Sequence, residues 1–265
     1  MKKFLAMLMA LVMVLSLVAC GEQKEEAPAE EPTDAVEAPA FTTVTEGVLT
    51  MSTNAAFPPY EMVADHGTFE GIDVEIAGAI AEYLGLELQV DDMDFDAALL
   101  AAQQGKSDII MAGVSVTPER EEVMCFSDTY ASGIQVVIVK EGSDVTLDNL
   151  GEKKIGTQNG TTGYIYCCDD YGDENVTAYD NGASAVQALL NDQVDCVVID
   201  NMPAQEYVAA NAGLTILETE YVAEDYAIGM AKDNTALQSA VNEALAALTA
   251  DGTVDAIIGK YISAN

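Results

Sequence analysis

The chain has 265 residues, of which 45 are Asp or Glu, 10 are Lys or Arg and one is His, so its formal net charge is −35 and its pI is about 4.1. Nucleic acid is excluded as a partner because phosphate neutralisation requires clustered basic residues. Half of the residues are hydrophobic, which suffices for one or two packed domains. The five Cys include no Cys-x-x-Cys pair, so neither a disulfide scaffold nor a metal site is expected, and no cofactor is predicted.

The first twenty residues have the layout of an export signal. Lys2 and Lys3 precede an apolar run over 4–18, which at about fifteen residues is short for a membrane span. The ending LVAC at 17–20 resembles a bacterial lipoprotein signal, which implies that Cys20 becomes a lipid-modified N-terminus. Two or more acyl chains would then hold the protein stably on a membrane. An ordinary secretory signal with an accidental Cys20 is the alternative.

The segment over 21–46 separates this signal from the rest of the chain. It is rich in Glu, Ala and Pro and has almost nothing to bury, which predicts a disordered acidic tether. We therefore expect a lipid-anchored protein at the outer face of the cytoplasmic membrane, with a folded part that starts near Gly47.

Strand and helix patterns alternate through the folded part. Short apolar runs predict strands over 48–54, 86–90, 108–113, 154–157, 176–179 and 195–200. Helical spacing occurs between them over 72–84, 95–104, 162–169, 183–190 and 202–211. This alternation is typical of α/β sheets that are covered by helices.

Two further β-rich runs interrupt the alternation. They cover 133–140 and 226–231, and no helical pattern precedes the first. Two such crossings would divide the folded part into a first lobe over 47–130 plus 229–265 and a second lobe over 135–224. A hinge is then expected near 130–134 and 225–230.

Arg120 is the only arginine of the chain. A guanidinium binds a carboxylate through two parallel hydrogen bonds, which an ammonium cannot do. Thr117 and Pro118 predict a helix N-cap and first position, which would place Arg120 in a first turn where the helix dipole disfavours a cation. Either a ligand carboxylate holds it there, or it forms a surface ion pair with Glu119, Glu121 or Glu122.

Other candidate residues follow predicted strand ends, where ligands bind in open α/β sheets. They are Asn54, Phe57, Phe95, Gly113, Ser115, Gln158, Thr162 and Asp200. The turn GTTG at 160–163 opens a predicted helix whose free N–H groups form an anion nest, or else it simply connects two elements. Asp200 is a ligand contact or a helix cap. A guanidinium, a nest and a carboxylate around one cleft would suit a zwitterion.

Six motifs occur in order along the folded part. They are TNAAFPPY at 53–60, GIDVE at 71–75, GVSVTPER at 113–120, FSDTY at 126–130, GTTG at 160–163 and DGT at 251–253. With them the chain resembles the polar amino-acid-binding proteins of ABC importers, the family-3 extracellular solute-binding proteins. The resemblance implies a two-lobed periplasmic-binding-protein fold (type II), which is α/β with two hinge strands. It also implies a free L-amino acid and the importer's membrane subunits as partners of a monomer.

The resemblance assigns the α-groups of the ligand to particular residues. Arg120 would clamp the α-carboxylate, helped by donors from Ser115 and Thr162. The Gly113 carbonyl and Asp200 would accept the α-ammonium.

The same resemblance assigns the side-chain end of the pocket. Phe57 and Phe95 would enclose the ligand side chain, and Asn54, Gln158 and Ile199 would line the far end. The side-chain amides of Asn54 and Gln158 can both donate and accept hydrogen bonds, but they offer no counter-charge to a ligand cation. They therefore favour a ligand with a polar uncharged side chain of the glutamine type.

Two departures from the family pattern bear on the ligand. Asn54 stands where many members carry Asp, which speaks against a cationic side chain, and Ile72 replaces the usual aromatic residue before Asp73. Asp73 either caps a helix or places a carboxylate near the pocket. In the second case arginine or lysine is the alternative ligand.

An enzyme and a receptor-coupled sensor are the rival functions. The fold also resembles that of secreted cyclohexadienyl dehydratases, but no catalytic constellation stands out and the lone His66 is predicted in a surface turn. Catalytic residues are therefore not expected. A disulfide from Cys196 to Cys167 or Cys168 is left open by the sequence, and Cys125 is expected to be a small buried side chain.

Overall fold

A computed structural model of the chain describes residues 41–217 and 221–262. The predicted export signal, Cys20 and most of the predicted tether lie outside the described residues. Within the described part, no helix is both long enough and apolar enough to cross a membrane. Folded contacts begin just before Gly47, because the Val44 N–H donates to Asp108 Oδ1 at 2.7 Å.

The described chain alternates strands and helices. The strands are β1 (Val48–Thr53), β2 (Ala56–Phe57), β3 (Glu61–Val63), β4 (Phe69–Glu70), β5 (Glu87–Asp92), β6 (Ile109–Ile110), β7 (Met124–Lys140), β8 (Ile155–Gln158), β9 (Val176–Tyr179), β10 (Cys196–Asp200), β11 (Leu214–Ile216) and β12 (Val222–Ala231). The α-helices are α1 (Ile72–Tyr83), α2 (Phe95–Gln103), α3 (Pro118–Val123), α4 (Thr162–Tyr171), α5 (Gly182–Leu190), α6 (Asn201–Ala210), α7 (Thr235–Ala250) and α8 (Thr253–Tyr261).

One mixed sheet of nine strands runs through the molecule. Its order is β5-β1-β6-β12-β7-β10-β8-β9, with β11 paired to β7, while β2, β3 and β4 form a separate antiparallel sheet. Each end of the large sheet is a βαβαβ unit with its first strand in the middle, β1 between β5 and β6 and β8 between β9 and β10. Within each unit the strands are parallel, so their carboxyl ends share one edge.

Two long strands connect the units. β7 is 17 residues long and pairs antiparallel with β12, and the register shifts between Tyr226 and Ala227 and again between Ala227 and Gly229. α7 then returns the chain to the first unit, where it packs on α1 together with α8. This is the architecture of two α/β lobes joined by two strands that the sequence predicts.

The core lies between the sheet and its helices. Leu49 and Met51 of β1, Ile72 of α1, Ile109 of β6 and Ile138 of β7 are fully buried. All five residues of β10 are buried as well, because β10 lies between β7 and β8 in the interior of the sheet. The core of each lobe is therefore formed by apolar side chains, and buried polar groups are concentrated at the strand ends.

Most predicted elements are present within a few residues of the predicted bounds. The predicted strand over 108–113 is shorter, because the chain leaves the sheet after β6 and turns at Gly113, where φ is +54°. The predicted β-run over 133–140 is only the second half of β7. All four described cysteines, Cys125, Cys167, Cys168 and Cys196, are free thiols.

Candidate functional site

A small cavity of about 20 Å³ lies between the two lobes at the carboxyl ends of the parallel strands. Nine of the eleven predicted site residues line it: Asn54, Phe57, Phe95, Gly113, Ser115, Arg120, Gln158, Thr162 and Asp200. Glu61, Ala112 and Thr161 complete the lining. The cavity therefore combines residues that are far apart in the sequence, because both βαβαβ units of the large sheet place the carboxyl ends of their strands toward the cleft.

Arg120 extends from α3 across the cleft. Thr117 Oγ1 caps the helix by accepting from the Arg120 N–H at 3.2 Å. The guanidinium donates to the Ser115 carbonyl at 2.8 Å and to the Gly160 carbonyl at 3.2 Å, and it lies 5.6 Å from the centre of the Phe95 ring. These contacts are neutral, so the cationic group is positioned without being neutralised.

No ion pair among the described residues involves Arg120. The predicted alternative of a surface ion pair with a neighbouring Glu is therefore wrong. Burial of the guanidinium lowers the pKa of Arg120, because a charged group loses hydration without gaining a counter-ion at contact distance. An anionic ligand group would supply that counter-ion.

The N-terminus of α4 faces the same part of the cavity. Thr161 is its N-cap, and its Oγ1 accepts from the Tyr164 N–H at 3.3 Å. Thr162 follows at the first helical position, with its hydroxyl 3.4 Å from Ser115 Oγ. The first N–H groups of a helix have no intrahelical acceptor and attract anions. Together with the guanidinium they form a positive corner of the cavity.

Asp200 provides the opposite charge at the end of β10. It stands at the N-cap position of α6, but its side chain makes no capping bond. Instead its carboxylate accepts from the Tyr226 hydroxyl and from Gln135 Nε2 at 2.8 Å. Burial, followed by the nearby Glu224, raises the pKa of Asp200 to about 8. A cation beside Asp200 would reverse part of that shift.

Asp73 lies behind the cavity wall and does not line it. It is fully buried at the second position of α1, where it accepts from the Gly113 N–H at 2.9 Å and from the Tyr130 hydroxyl at 2.8 Å. Burial raises the pKa of Asp73 to about 6 although these two hydrogen bonds, and a third with the Glu61 carboxyl group, lower it. Asp73 is thus neither a helix cap nor a cavity residue, and it fixes the turn that carries Gly113.

Ile199 is the second predicted site residue that does not line the cavity. Side chains alternate between the faces of a strand, so with Asp200 in the cleft Ile199 faces the core. Its Cδ1 would lie 2.5 Å from a Cβ at Gly182, which shows how closely it packs on α5. In this structure Ile199 supports the second lobe.

The two predicted amides contact each other. Gln158 Nε2 donates to Asn54 Oδ1 at 2.9 Å, and Asn54 Nδ2 donates to the Met93 carbonyl at 2.9 Å. One N–H group of each amide therefore already donates to another residue of the protein. Their bond also joins the first lobe to the second.

Glu61 is the lining residue that the sequence analysis missed. It begins β3, directly after the motif TNAAFPPY, and its side chain is fully buried. No N–H or hydroxyl donor of the described residues binds its carboxylate oxygens, and a hydrogen bond shared with the Asp73 carboxyl group contributes, after burial and the charge of Asp73, to raising the pKa of Glu61. An acidic residue that directly follows an aromatic-rich motif was the available signal, but a Glu in a turn is ordinarily exposed.

A larger open groove of about 1130 Å³ lies along the connecting strands, lined by residues such as Met124, Ser132, Glu224 and Lys232. None of the predicted site residues lines it. It is open to solvent, and Glu224 is the one buried charged side chain of its lining. Without a buried group of opposite charge facing Glu224, the groove is the poorer candidate for a small ligand.

The comparisons with known proteins agree with this geometry. Residues 49–264 match the bacterial extracellular solute-binding proteins, family 3. The chain belongs to this family. Its relatives within family 3 are substrate-binding proteins, and its two-lobed α/β fold is the fold of such proteins.

Three similar proteins illustrate the family. ABC transporter arginine-binding protein 1 of Escherichia coli is 29% identical over 78% of this chain and 88% of its own. A probable histidine-binding protein of Neisseria gonorrhoeae is 30% identical over 99% of this chain and 96% of its own. The structure of an ancestral arginine-binding protein bound to glutamine is 36% identical, with a TM-score of 0.78 over 83% of this chain and all of that chain.

Proposed function

We propose that this family 3 protein captures a free L-amino acid between its lobes outside the cytoplasm and delivers it to an ABC importer. The observation that carries the proposal is the half-buried Arg120 guanidinium, which contacts only neutral groups and faces a helix N-terminus. The α-carboxylate binds in this positive corner, between Arg120 and the first N–H groups of α4. Relatives named for arginine, histidine and glutamine support an amino acid as the ligand class.

The remaining groups of the cavity match the rest of an amino acid. Asp200 and the Gly113 carbonyl accept the α-ammonium. Phe57 and Phe95 form apolar walls for the side-chain stem. Opposite charges in the lining of one small cavity select a zwitterion, because each charge of the protein then gains a partner.

We propose the same division of the molecule as the sequence predicts, with lobe 1 over 47–130 plus 229–265 and lobe 2 over 135–224. The protein acts as a monomer, anchored through Cys20 at the outer face of the membrane. Detergent partitioning of the wild type and of Cys20→Ala tests the anchor. Equal membrane association of the two proteins would rule it out.

The proposal includes no catalytic step. His66 lies exposed in the turn Asp65–Gly67, away from the cavity, and the relatives of the chain are binding proteins. Incubation with prephenate and arogenate should leave both unchanged, and product formation would favour the dehydratase alternative.

A thermal-shift screen over all twenty amino acids tests the proposal as a whole. A ligand that binds only the folded state raises the melting temperature, so at least one amino acid should raise it in proportion to the logarithm of its concentration. Arg120→Lys at the same concentrations is the control and should lose the shift. If no amino acid moved the melting temperature, the proposal would fail.

A further inference from the structure

One side-chain amide on a connecting strand donates to two buried carboxylates. Gln135 of β7 pairs in register with Asp200 of β10, and its Nε2 donates to Asp200 Oδ2 and to Glu224 Oε2 of β12, at 2.8 Å each. All three side chains are buried. A primary amide has two N–H donors, so Gln135 uses both of them on these acids. The bridge therefore joins both connecting strands to a residue of the cavity.

The amide and the Asp200 carboxylate are confined by close packing. A Cβ at Gly163, in the first turn of α4, would lie 2.7 Å from Gln135 Oε1. The Tyr226 hydroxyl of β12 donates to Asp200 Oδ1, and a Cβ at Gly133 would lie 2.6 Å from the same oxygen. Neither group therefore has room to turn away from the bridge.

Glu224 acts on Asp200 from outside the cavity. It lines the open groove, Asp200 lines the cavity, and Gln135 lines neither of them but connects the two acids. Because Asp200 Oδ2 and Glu224 Oε2 each lie 2.8 Å from one nitrogen, they are at most twice that distance apart. Like charges interact strongly at this separation, so a buried pair of acids does not readily lose both protons.

Glu224 has two further neighbours. One is Tyr166 of α4, whose pKa is raised by burial, then by the charge of Glu224 and by a hydrogen bond with it. The other is Arg120, whose pKa Glu224 raises against the larger effect of burial. None of the ion pairs among the described residues includes Glu224 or Asp200. Both acids are thus without a cation at contact distance.

The ionisable groups that face Asp200 come from several elements and are mostly acidic. They are Glu224 and Tyr226 of β12, Arg120 of α3, Glu61 of β3, and Tyr60 just before β3. Burial and then Glu224 raise the pKa of Asp200 to about 8, although the Gln135 hydrogen bond and Arg120 lower it. Near neutral pH the Asp200 carboxyl group of the ligand-free protein therefore binds a proton.

We propose that Glu224, acting through Gln135, controls the charge of Asp200 and thereby links amino-acid capture to the release of a proton. The inference rests on the proposed function, in which Asp200 accepts the α-ammonium. The entering α-ammonium takes the place of the proton on Asp200, and that proton leaves to the solvent. Glu224 and Gln135 are positioning residues, because they contact Asp200 and do not line the ligand cavity.

Calorimetric titration between pH 6 and pH 8.5 tests the effect on capture. The probes are L-arginine, L-lysine and L-glutamine, whose side chains keep their charge over this range. The wild type should gain about tenfold or more in affinity across the range, because Asp200 loses its proton there. Glu224→Gln keeps an acceptor for Gln135 and removes the charge. Asp200 should then ionise at lower pH, and the gain should be at least about threefold smaller.

Two further variants separate charge from packing. Glu121→Gln removes an exposed acid that lines the same groove, and it should give the wild-type pH profile. Gln135→Met keeps an unbranched side chain and removes both donors, so Asp200 should ionise at higher pH and the loss of affinity should be greatest at pH 6. A role of Glu224 in packing alone, or only through the always-charged Arg120, would change the affinity by the same factor at every pH.

A second readout uses the ligand-free protein. With isotope-labelled aspartate, the Asp200 carboxyl carbon is assigned in the NMR spectrum by the signal that Asp200→Asn lacks. The midpoint of its pH titration should be lower in Glu224→Gln than in the wild type, higher in Gln135→Met, and unchanged in Glu121→Gln.

The outcomes separate this inference from the proposed function. Parallel affinity profiles of Glu224→Gln and the wild type, or an Asp200 midpoint that Glu224→Gln does not move, would each overturn the role of Glu224 while leaving amino-acid capture intact. Failure of every amino acid to bind would overturn the proposed function and the link to capture, and the NMR titration would still decide whether Glu224 controls the charge of Asp200.

Discussion

Arg120 shows how a single residue can carry recognition. Its guanidinium is held by two carbonyl oxygens and an aromatic ring, all of them neutral, so its geometry is fixed before any ligand arrives. A pre-organised cation loses little conformational freedom on binding and offers two parallel donors to a carboxylate. Lysine would keep the charge and lose this geometry.

We therefore expect Arg120→Lys to weaken amino-acid binding strongly. Breaking a buried, hydrogen-bonded charge pair costs about 2 to 5 kcal/mol, which corresponds to roughly 30-fold to several thousand-fold in the dissociation constant. Calorimetric titration measures the effect, and circular dichroism checks that the variant is folded. A dissociation constant within threefold of that of the wild type would remove Arg120 from the site.

Asp200 and Asp73 link stability to pH. Their pKa values in the folded protein are raised by burial, to about 8 and about 6, so the folded state binds more protons than the unfolded state. Their stabilising contribution is complete below the ordinary carboxyl pKa near 4 and is lost as the pH rises toward about 8.

The melting temperature of the free protein should thus fall between pH 5 and pH 8.5, and Asp200→Asn should fall less steeply because one of the titrating groups is gone. Asp192→Asn replaces an exposed acid in the ion pair with Lys140 and is the matched control for the loss of one negative charge. Parallel profiles for Asp200→Asn and the wild type would contradict the assignment.

At the scale of elements, the turn between β6 and α3 builds one wall of the cavity. Gly113 has φ +54°, its N–H is held by Asp73, and a Cβ there would lie 2.8 Å from Phe57 Cε1. A left-handed conformation costs an L-residue roughly 1–2 kcal/mol. Any side chain here also displaces the Phe57 ring that lines the cavity.

Gly105 offers a control for this position, because it has φ +65° and no atom lies within 4 Å of the point that an added Cβ would occupy. Gly113→Ala and Gly105→Ala should both lower the free energy of unfolding by a similar amount, because each places an alanine at a positive φ. Only Gly113→Ala should also weaken ligand binding, measured by titration. Equal affinities in the two variants would show that the Phe57 wall has no part in binding.

Elements with a strong local pattern could be predicted from the sequence. The amphipathic stretch that becomes α1 and the apolar run that becomes β10 contain their own signal. The three-stranded β2-β3-β4 sheet could not be predicted, because its strands have only two or three residues each. The same limit hid Glu61, which begins one of these short strands and is buried by the packing of that strand in the fold.

The candidate site residues also differ in whether the sequence alone could place them in the cavity. Arg120, Thr162 and Asp200 follow element boundaries that the sequence marks with capping residues, glycines and apolar runs, and they meet in one cavity. Ile199 does not line the cavity, because alternate side chains of a strand point to opposite faces and Ile199 is next to Asp200. Asp73 supports the wall from behind through Gly113, an arrangement that only the folded turn reveals.

On the scale of the whole molecule, the lobes are joined across the cleft by direct hydrogen bonds. Gln158 contacts Asn54, Arg120 contacts the Gly160 carbonyl, and the Tyr207 hydroxyl donates to the Ala56 carbonyl at 2.8 Å. The cavity of about 20 Å³ between such contacts is too small for an amino acid. A ligand can therefore enter only if these bonds open, and we expect the β7–β12 pair with its register shifts to be the hinge for that motion.

Closure should be visible in solution. Small-angle scattering should give a smaller radius of gyration for the protein saturated with its amino acid than for the ligand-free protein. Arg120→Lys at the same ligand concentration should stay at the ligand-free value. Identical radii for the free and the saturated wild type would contradict a closing cleft.

The central claim is that the cavity holds an amino acid by its α-carboxylate on Arg120. A crystal structure of the protein with the amino acid that raises its melting temperature most tests this most directly. The account predicts that the α-carboxylate accepts two hydrogen bonds from the Arg120 guanidinium and that the α-ammonium contacts Asp200. A ligand carboxylate away from Arg120, or a ligand in the open groove beside Ser132 and Glu224, would contradict it.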